Sequence, residues 1–367
     1  MPAAALLLAG VASTDPEVAA PGPLPFELLG EAIEPGTLER VSLVASESFA
    51  GVSVRTPIVV AHGAEPGPVL CLTGGVHGDE LNGVEIVRRT MEGLDPATLR
   101  GTVIGVPIAN PQGFMRSSRY LPDRRDLNRY FPGRDQGSSA SRIAHGLFEN
   151  VIRRCSALVD FHTGSFHRTN VPHLRANLLD RGTRDLAERF GTSVIVHHHG
   201  GLGTLRRAAM DVGIPSVTYE GGEPMRLSEV EIRAGVVGTR HLMQGMGIFG
   251  LPAEDVPQKI HAKMHWVRAT TGGLLLGRVR AGDRVEVDEY LGAVTDPISN
   301  ERSEIRSPHR GMVIGQAIDQ VVMPGFAAFH IALDDAVLEP EGFSEPSAEP
   351  DVEDAELVGP EPEERPE

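Results

Sequence analysis

Short apolar runs that stop abruptly at a glycine, a histidine or an acid, with helical periodicity between them, constrain this chain most. Residues 68–73 (PVLCLT) close on Gly74-Gly75, and 102–108 (TVIGVPI) form a second run. Residues 157–162 (ALVDFH) and 215–220 (PSVTYE) end on a histidine and a glutamate, with further candidate strands at 173–179 and 192–197. Leu81, Val84, Val87 and Met91 share one helical face, and Ile143, Leu147, Val151 and Ile152 share another after Ser138-Ser139. Ser228-x-x-Glu231 reads as a capping box opening a helix to about Gly245. Strands apolar along their whole length must be covered on both faces, so the pattern predicts an α/β domain with a largely parallel or mixed sheet. After about Lys259 the texture changes to short strands punctuated by Gly, Pro and Asp, which predicts a small all-β barrel or sandwich. The expected layout is an N-terminal extension over 1–37, the α/β domain over 38–256, the β domain over 257–336 and a tail over 337–367.

Composition narrows the function classes. No run reaches the roughly 18 apolar residues of a membrane span, and MPAAALLLAGVASTDPEV has no positive n-region, so it is not read as a signal peptide. Of the net charge of −16, fourteen acids and one arginine from Asp334 onward contribute −13. The body is therefore nearly neutral and shows no basic field for nucleic acid. Residues 339–367 are Pro/Glu-rich with few large apolar side chains, which predicts a disordered tail. Cys71 and Cys155 lie in or beside apolar runs and read as buried free thiols, which favours the cytoplasm. Of 34 basic residues only Lys259 and Lys263 are lysines, so any single arginine carries less functional information than usual.

Fourteen histidines in a Glu-rich chain make a His-x-x-Glu spacing uninformative by itself, and two occur. His62-x-x-Glu65 runs into Pro66-Gly67-Pro68 and reads as a surface hairpin. His77-x-x-Glu80 sits where a buried strand ends and a helix starts, the edge at which open α/β sheets place their sites. Residues three apart on a first helical turn face the same way, so imidazole and carboxylate can converge on one ion. Catalytic zinc needs a third protein ligand and an open position. His162 ends the run ALVDFH, and Asp160 lies two residues earlier on the same strand face, placed to orient it. Hydrolysis at zinc also needs a carboxylate that is not a ligand, and Glu220 ends SVTYE beside Gly221-Gly222.

The long polar segment from Asn110 to Gly137 lacks periodicity but carries Phe114, Tyr120, Leu121, Leu127, Tyr130 and Phe131, so it reads as an ordered functional loop. His77-x-x-Glu80, Asn110-Pro111, Arg119-Tyr120, Asp126-Leu127-Asn128-Arg129, Phe131-Pro132, Asp160-Phe161-His162-Thr163 and Glu220 appear in that order. In this string the chain resembles the succinylglutamate desuccinylase/aspartoacylase family, a deacylase branch of the zinc carboxypeptidase-like hydrolases, over roughly residues 40–335. The resemblance implies an α/β/α domain with a mixed sheet, one zinc per chain on His77, Glu80 and His162, and Glu220 as general base and acid. It implies that Arg119 stabilises the oxyanion, with Arg116 as the alternative, and that Asn128 and Arg129 hold the substrate carboxylate. The C-terminal strands look like the biotinyl/lipoyl-type barrel of some family members. A carrier needs a lysine at its hairpin tip, and both lysines lie upstream of those strands, so a lid, oligomerisation or cleft-shaping role is expected instead.

Two features stand outside that string. His197-His198-His199 read as a strand end lining the cleft rim, with a second metal site as the alternative. The turn Gly200-Gly201-Leu202-Gly203 lacks Walker spacing and lysine. The helix N-terminus after it is a candidate carboxylate site, with Arg206 as its partner. The expectation is a zinc hydrolase that cleaves an amide beside a carboxylate, with an N-acyl amino acid as the favoured substrate. A carboxypeptidase acting on peptide C-termini and a non-catalytic zinc- or carboxylate-binding protein are the alternatives. No nucleic-acid or membrane partner is expected, and a homo-oligomer remains open.

Overall fold

In the computed structural model, residues 24–47, 53–251, 256–318 and 320–338 are described. The first part of the extension and the acidic tail from 339 lie outside them. The centre of the fold is a mixed sheet in which Ser216–Gly222, Ala157–His162, Glu65–Thr73 and Arg100–Val106 run parallel, in that spatial order. Ser53–His62 and Thr37–Glu47 extend it antiparallel on one side, and Arg168–Ala176 does so on the other.

Alternation along these strands decides which helix each side chain meets. Leu70, Leu72, Val159 and Phe161 point to one face and pack with Ile86, Val87 and Met91 of Leu81–Glu92, Phe190 of Arg181–Phe190 and Leu242 of Glu229–Gly245. Cys71, Ile104 and Leu158 point to the other, against Ile143, Leu147 and Phe148 of Ser139–Asn150 and Leu205 and Ala208 of Leu205–Asp211. All six residues of Ala157–His162 are buried, as a strand covered twice requires. The inward face of Leu81–Glu92 is rotated from the expected one: Ile86 is buried, whereas Leu81 and Val84 are half-buried. Among the described residues no helix is long and apolar enough to cross a membrane.

The C-terminal strands are all-β, and they are continuous with the central sheet. Gly311–Ala317 pairs antiparallel with Arg168–Ala176, placing Gly315 opposite Asn170, and Ala327–Leu333 and Met264–Arg268 follow outward. Arg302–Arg306, Tyr290–Thr295, Gly273–Gly277 and Gln320–Val322 form a separate four-stranded sheet. Leu275, Leu291, Val294, Ile305, Val313 and Phe329 fill a core between these layers.

Three sequence expectations change here. His62 and Glu65 end and begin strands that do not pair, because Arg100–Val106 lies between them, so they flank a turn and not a hairpin. The His62 ring is buried and bonded to Thr102 Oγ1 at 2.9 Å. Ser228 precedes the last long helix as expected, but its hydroxyl bonds the Glu231 carboxylate and no backbone N–H. Cys71 and Cys155 are joined by a disulfide and are not free thiols. Parallel pairing sets Cys71 beside Leu158 and brings Cys155, just before that strand, to a Cα–Cα distance of 5.7 Å. An 84-residue separation hides this adjacency, and paired cysteines give no support to the expected cytoplasmic location.

Closing an 84-residue loop removes about 4.5 kcal/mol of unfolded-chain entropy at 25 °C. The Cys71→Ala/Cys155→Ala pair is expected to lower the unfolding free energy in urea by about 2–5 kcal/mol. An unchanged midpoint would show that the thiols are not joined in solution.

Candidate metal centre and active site

Parallel register brings the carboxyl ends of the central strands to one edge, with Thr73 beside Asp160 and His162 beside Glu220. The segment after Thr73 carries His77 and Glu80. They do not lie on a first helical turn as expected, since the helix begins at Leu81 and Glu80 is its N-cap with non-helical φ and ψ. A tight turn joins them instead, the Glu80 N–H donating to the His77 carbonyl at 3.3 Å. Gly78 lets this turn touch the backbone at Gly113, where an added Cβ would stand 2.0 Å from the Gly113 carbonyl carbon.

The Glu80 carboxylate takes both histidines: His77 Nδ1 lies 2.8 Å from Oε1 and His162 Nδ1 lies 2.9 Å from Oε2. The Thr163 N–H donates to the same Oε2 at 3.1 Å. On the outer side of each ring a second carboxylate waits, Asp160 at 2.8 Å from His162 Nε2 and Asp126 at 3.1 Å from His77 Nε2. An ionised carboxylate only accepts, so each Nε2 is a donor and each Nδ1 is turned inward. The two Nδ1 atoms are 3.2 Å apart, close to the roughly 3.3 Å edge of a tetrahedron with zinc–nitrogen bonds of ~2.0 Å. One ligand atom from each of His77, Glu80 and His162 lies within 4.8 Å of the others, and no other group of three such side chains occurs among the described residues. The donor set, its burial and its outer carboxylates fit zinc.

Electrostatics of this cluster follow from burial opposed by charge. Burial lowers the pKa of His162, but Asp160 and Glu80 override it and hold it well above the ordinary value. Burial and Arg119 lower that of His77, and Glu80 with Asp126 reverse the sign. Burial pushes the Glu80 carboxyl up, while His77 and His162 bring it far below the usual carboxylate range. Burial likewise raises Asp126, and Arg119 and His77 pull it well below its ordinary value.

The two candidate oxyanion arginines differ in placement. Arg119 is buried at the centre, donating from Nη1 to Ser165 Oγ at 2.6 Å and Glu80 Oε1 at 3.2 Å, whereas Arg116 is exposed. Asp126 fixes its other edge, accepting from Nη2 at 2.9 Å and Nε at 3.1 Å. Asp126 also caps the turn Leu127–Arg129 through Asn128 N. A single carboxylate thereby orients His77, Arg119 and the loop that carries Asn128 and Arg129.

Glu220, 3% exposed, accepts from Asn170 Nδ2 at 3.2 Å, and Arg175 Nε stands 3.8 Å from its other oxygen. Glu220, Arg119, Asn128, Arg129, Arg175, His198 and Arg206 line one cleft with the side chains of His77, Glu80 and His162. Asn128 Oδ1 accepts from Leu205 N at 2.8 Å, and Gly203, at φ +82°, packs so closely that a Cβ would meet the Arg129 carbonyl at 2.2 Å. The helix Leu205–Asp211 has only seven residues, and two of its leading N–H groups, those of Leu205 and Arg207, are bonded to Asn128 Oδ1 and Thr204 Oγ1. What faces the cleft at this end is the Arg206 side chain. Arg206 is held over the cleft by the His198 carbonyl and Nδ1, each at 2.8 Å. Of the three consecutive histidines only His198 lines the cleft; His197 accepts from Leu178 N at 3.1 Å and meets His199 edge to face.

Sequence reading missed Asp126, Ser165, Asn170 and Arg175. Asp126 had a usable signal, because a ligand histidine needs an acceptor on its outer nitrogen and the loop string offers an acid. Asn170 and Arg175 depend on cross-strand register, and Ser165 on a long-range contact to Arg119, so these three had none.

Residues 66–246 match the family model described as the Succinylglutamate desuccinylase/Aspartoacylase catalytic domain. An N-alpha-acetyl-L-2,4-diaminobutyric acid deacetylase from Halomonas elongata is 30% identical over 138 residues, 37% of this chain and 40% of that relative's length. A succinylglutamate desuccinylase/aspartoacylase structure from Rhodobacter sphaeroides superposes with a TM-score of 0.74 at 26% identity, covering 81% of this chain and 96% of that one. A product-bound ectoine utilization protein from Ruegeria pomeroyi, at 24% identity, shares the fold with a TM-score of 0.76 over 86% of this chain and 99% of its own.

Protons and a metal compete for the inward Nδ1 atoms. Zinc uptake is expected to release protons and to weaken as pH falls, read by calorimetry in buffers of different ionisation enthalpy. Because the folded pKa of His162 is raised, its contribution to metal-free stability is present below the unfolded value of roughly 6.5 and is lost as pH rises through the folded value. Zinc-loaded protein is expected to lack that alkaline loss; equal pH profiles with and without zinc would contradict the site.

Proposed function

This chain belongs to the succinylglutamate desuccinylase/aspartoacylase family, and from that premise we propose that it is a zinc-dependent deacylase of an N-acyl amino acid. The observation that carries the reading is the opening of the His77–Glu80–His162 donor set onto the same cleft as Glu220, Arg129 and Arg206. His77, Glu80 and His162 would hold one zinc ion. Bound there, zinc would supply a Lewis acid that makes a water acidic enough to attack at neutral pH and polarises the acyl oxygen.

The rest of the chemistry belongs to the chain. Arg129 and Arg206 hold the substrate's carboxylate, and Asn128 sits beside them in the cleft wall. Glu220 takes a proton from the attacking water and delivers it to the departing amine, a shuttle that a buried carboxylate steadied by Asn170 can perform. Arg119 places its charge where the acyl oxygen becomes negative. Asp126 and Ser165 already fix the guanidinium, so little reorganisation is needed as that charge develops.

The lining also bears on the acyl group. Among the described residues no aliphatic or aromatic hydrocarbon side chain contributes to the cleft wall, while four arginines do. That favours a short or carboxylate-bearing acyl group over a long apolar one, whose burial would need apolar partners.

The test is amine release by the zinc-loaded protein from N-acetyl, N-succinyl and other N-acyl amino acids, with short peptides alongside. Glu220→Gln is expected to lower kcat by about 10²–10⁴-fold with unchanged zinc content. Arg206→Ala is expected to act mainly on KM, raising it about 10- to 100-fold through a lost charge-assisted contact. Release confined to peptide C-termini would move the activity to carboxypeptidase chemistry. Undiminished hydrolysis by Glu220→Gln would remove Glu220 from the mechanism, and zinc binding with no turnover of any substrate would favour a binding protein.

A further inference from the structure

The segment joining Ala157–His162 to Arg168–Ala176 is held in a conformation that its own residues disfavour. Phe166 and His167 both have left-handed backbone, with φ of 52° and 57°, a region that side chains bearing a Cβ rarely adopt. The C-terminal segment grips it at the His167 carbonyl. The His167 carbonyl accepts from Ile318 N at 2.8 Å and from Gln320 Nε2 at 3.0 Å.

Arg168 anchors the segment from the other side. It is 1% exposed, its guanidinium 4.6 Å from the Phe326 ring centroid and 5.2 Å from that of Trp266, and its Nε donates to the Ala327 carbonyl at 3.0 Å. Its Nη1 reaches back to the Ser165 carbonyl at 3.4 Å, which its own backbone N–H also bonds at 3.2 Å. A buried guanidinium held by carbonyls and π faces fills a core less favourably than a methionine would, unless its grip serves something.

What lies at the near end of that grip is Arg119. Ser165 Oγ accepts from Arg119 Nη1 at 2.6 Å, and the Phe166 ring lies 5.3 Å from the same guanidinium. Asp126 holds the Nε and Nη2 edge and Ser165 holds Nη1, so the planar group is fixed at both edges. Removing Ser165 takes away the 2.6 Å contact of Nη1 and leaves the longer one to Glu80 Oε1, at 3.2 Å, which loosens the plane against the reacting carbonyl.

We propose that Ser165–Arg168 is a positioning arm through which the C-terminal strands set the Arg119 guanidinium, with Ser165 at its tip and Arg168 as its anchor. The proposal rests on Arg119 serving the acyl oxygen as described above. It gives the β strands that lack a carrier lysine a task in the reaction without any of them entering the cleft.

Ser165→Ala removes the acceptor, and Arg168→Met keeps length and apolar packing while removing the grip. On the N-acyl amino acid that wild type hydrolyses, each is expected to lower kcat about 10- to 100-fold, the cost of a displaced catalytic group, with KM within about twofold and zinc content unchanged. Ser165→Thr, which keeps the hydroxyl, is expected to retain kcat. The double variant is expected to lose no more than the more damaged single variant, because both act through one guanidinium. An unaltered kcat in Ser165→Ala, or losses that multiply in the double variant, would overturn the arm. Should Arg168→Met fail to fold, Gln320→Ala takes its place, with a smaller fall in kcat expected and an unchanged kcat counting against the proposal. If wild type hydrolyses nothing in the panel, the functional reading fails and crystal structures of wild type and Ser165→Ala decide the arm alone. A guanidinium that leaves its wild-type position supports it, and one that stays overturns it.

Discussion

A carboxylate with 1% of its surface exposed, Glu80, sits between two buried imidazoles, and the rest of the site exists to make that tolerable. An ion withdrawn from water is destabilising by several kcal/mol unless opposite charge and hydrogen bonds replace the solvent. Here replacement comes from His77, His162, Arg119 and the Thr163 N–H, and the three side chains each have a further fixed partner in turn. Asp160 steadies His162 and is itself bonded by Thr73, on the neighbouring strand. Asp126 steadies His77 and Arg119 together. The geometry therefore propagates outward from one buried charge to four different chain segments, and the sheet edge is where those segments meet.

The parts of this that were legible in the sequence are those that depend on local order. An apolar run ending at a polar residue marks a strand's carboxyl end, so Ala157–His162 matched its expected limits and His162 and Glu220 fell at the sheet edge. Ser138 as a helix start also follows from neighbours alone, and its hydroxyl accepts from Ser141 N. The parts that were illegible depend on which strand lies beside which. Cys71 and Cys155 looked like isolated thiols because nothing within 84 residues of chain announces that Glu65–Thr73 and Ala157–His162 are neighbours. Arg175 looked like an ordinary polar residue of the candidate strand 173–179, and Asn170 lay outside it, until antiparallel pairing set Arg168–Ala176 against the strand of Glu220.

The loop from Asn110 to Gly137 shows how a long stretch without periodicity can still be ordered. Leu121, Leu127 and Phe131 are buried in the same core as Ile143 and Phe148, so apolar anchors are spaced along it. Between the anchors, the side chains that face the cleft, Arg119, Asn128 and Arg129, take their positions from Asp126 and from the close contact at Gly203. Rigidity here comes from anchoring at intervals, and regular secondary structure contributes only short turns.

Continuity between the central sheet and the C-terminal strands bears on modularity. Where two units meet only through a linker, one can be exchanged for a homologous unit with little regard for the other. In this chain Gly315 lies across the ladder from Asn170, so close that a Cβ at Gly315 would stand 2.4 Å from the Asn170 amide oxygen. That amide also holds Glu220. A chimera carrying the C-terminal strands of another protein would have to reproduce a residue without a side chain at this one rung. Descent would keep the two halves together for the same reason: the seam between them is written in the sequence of both.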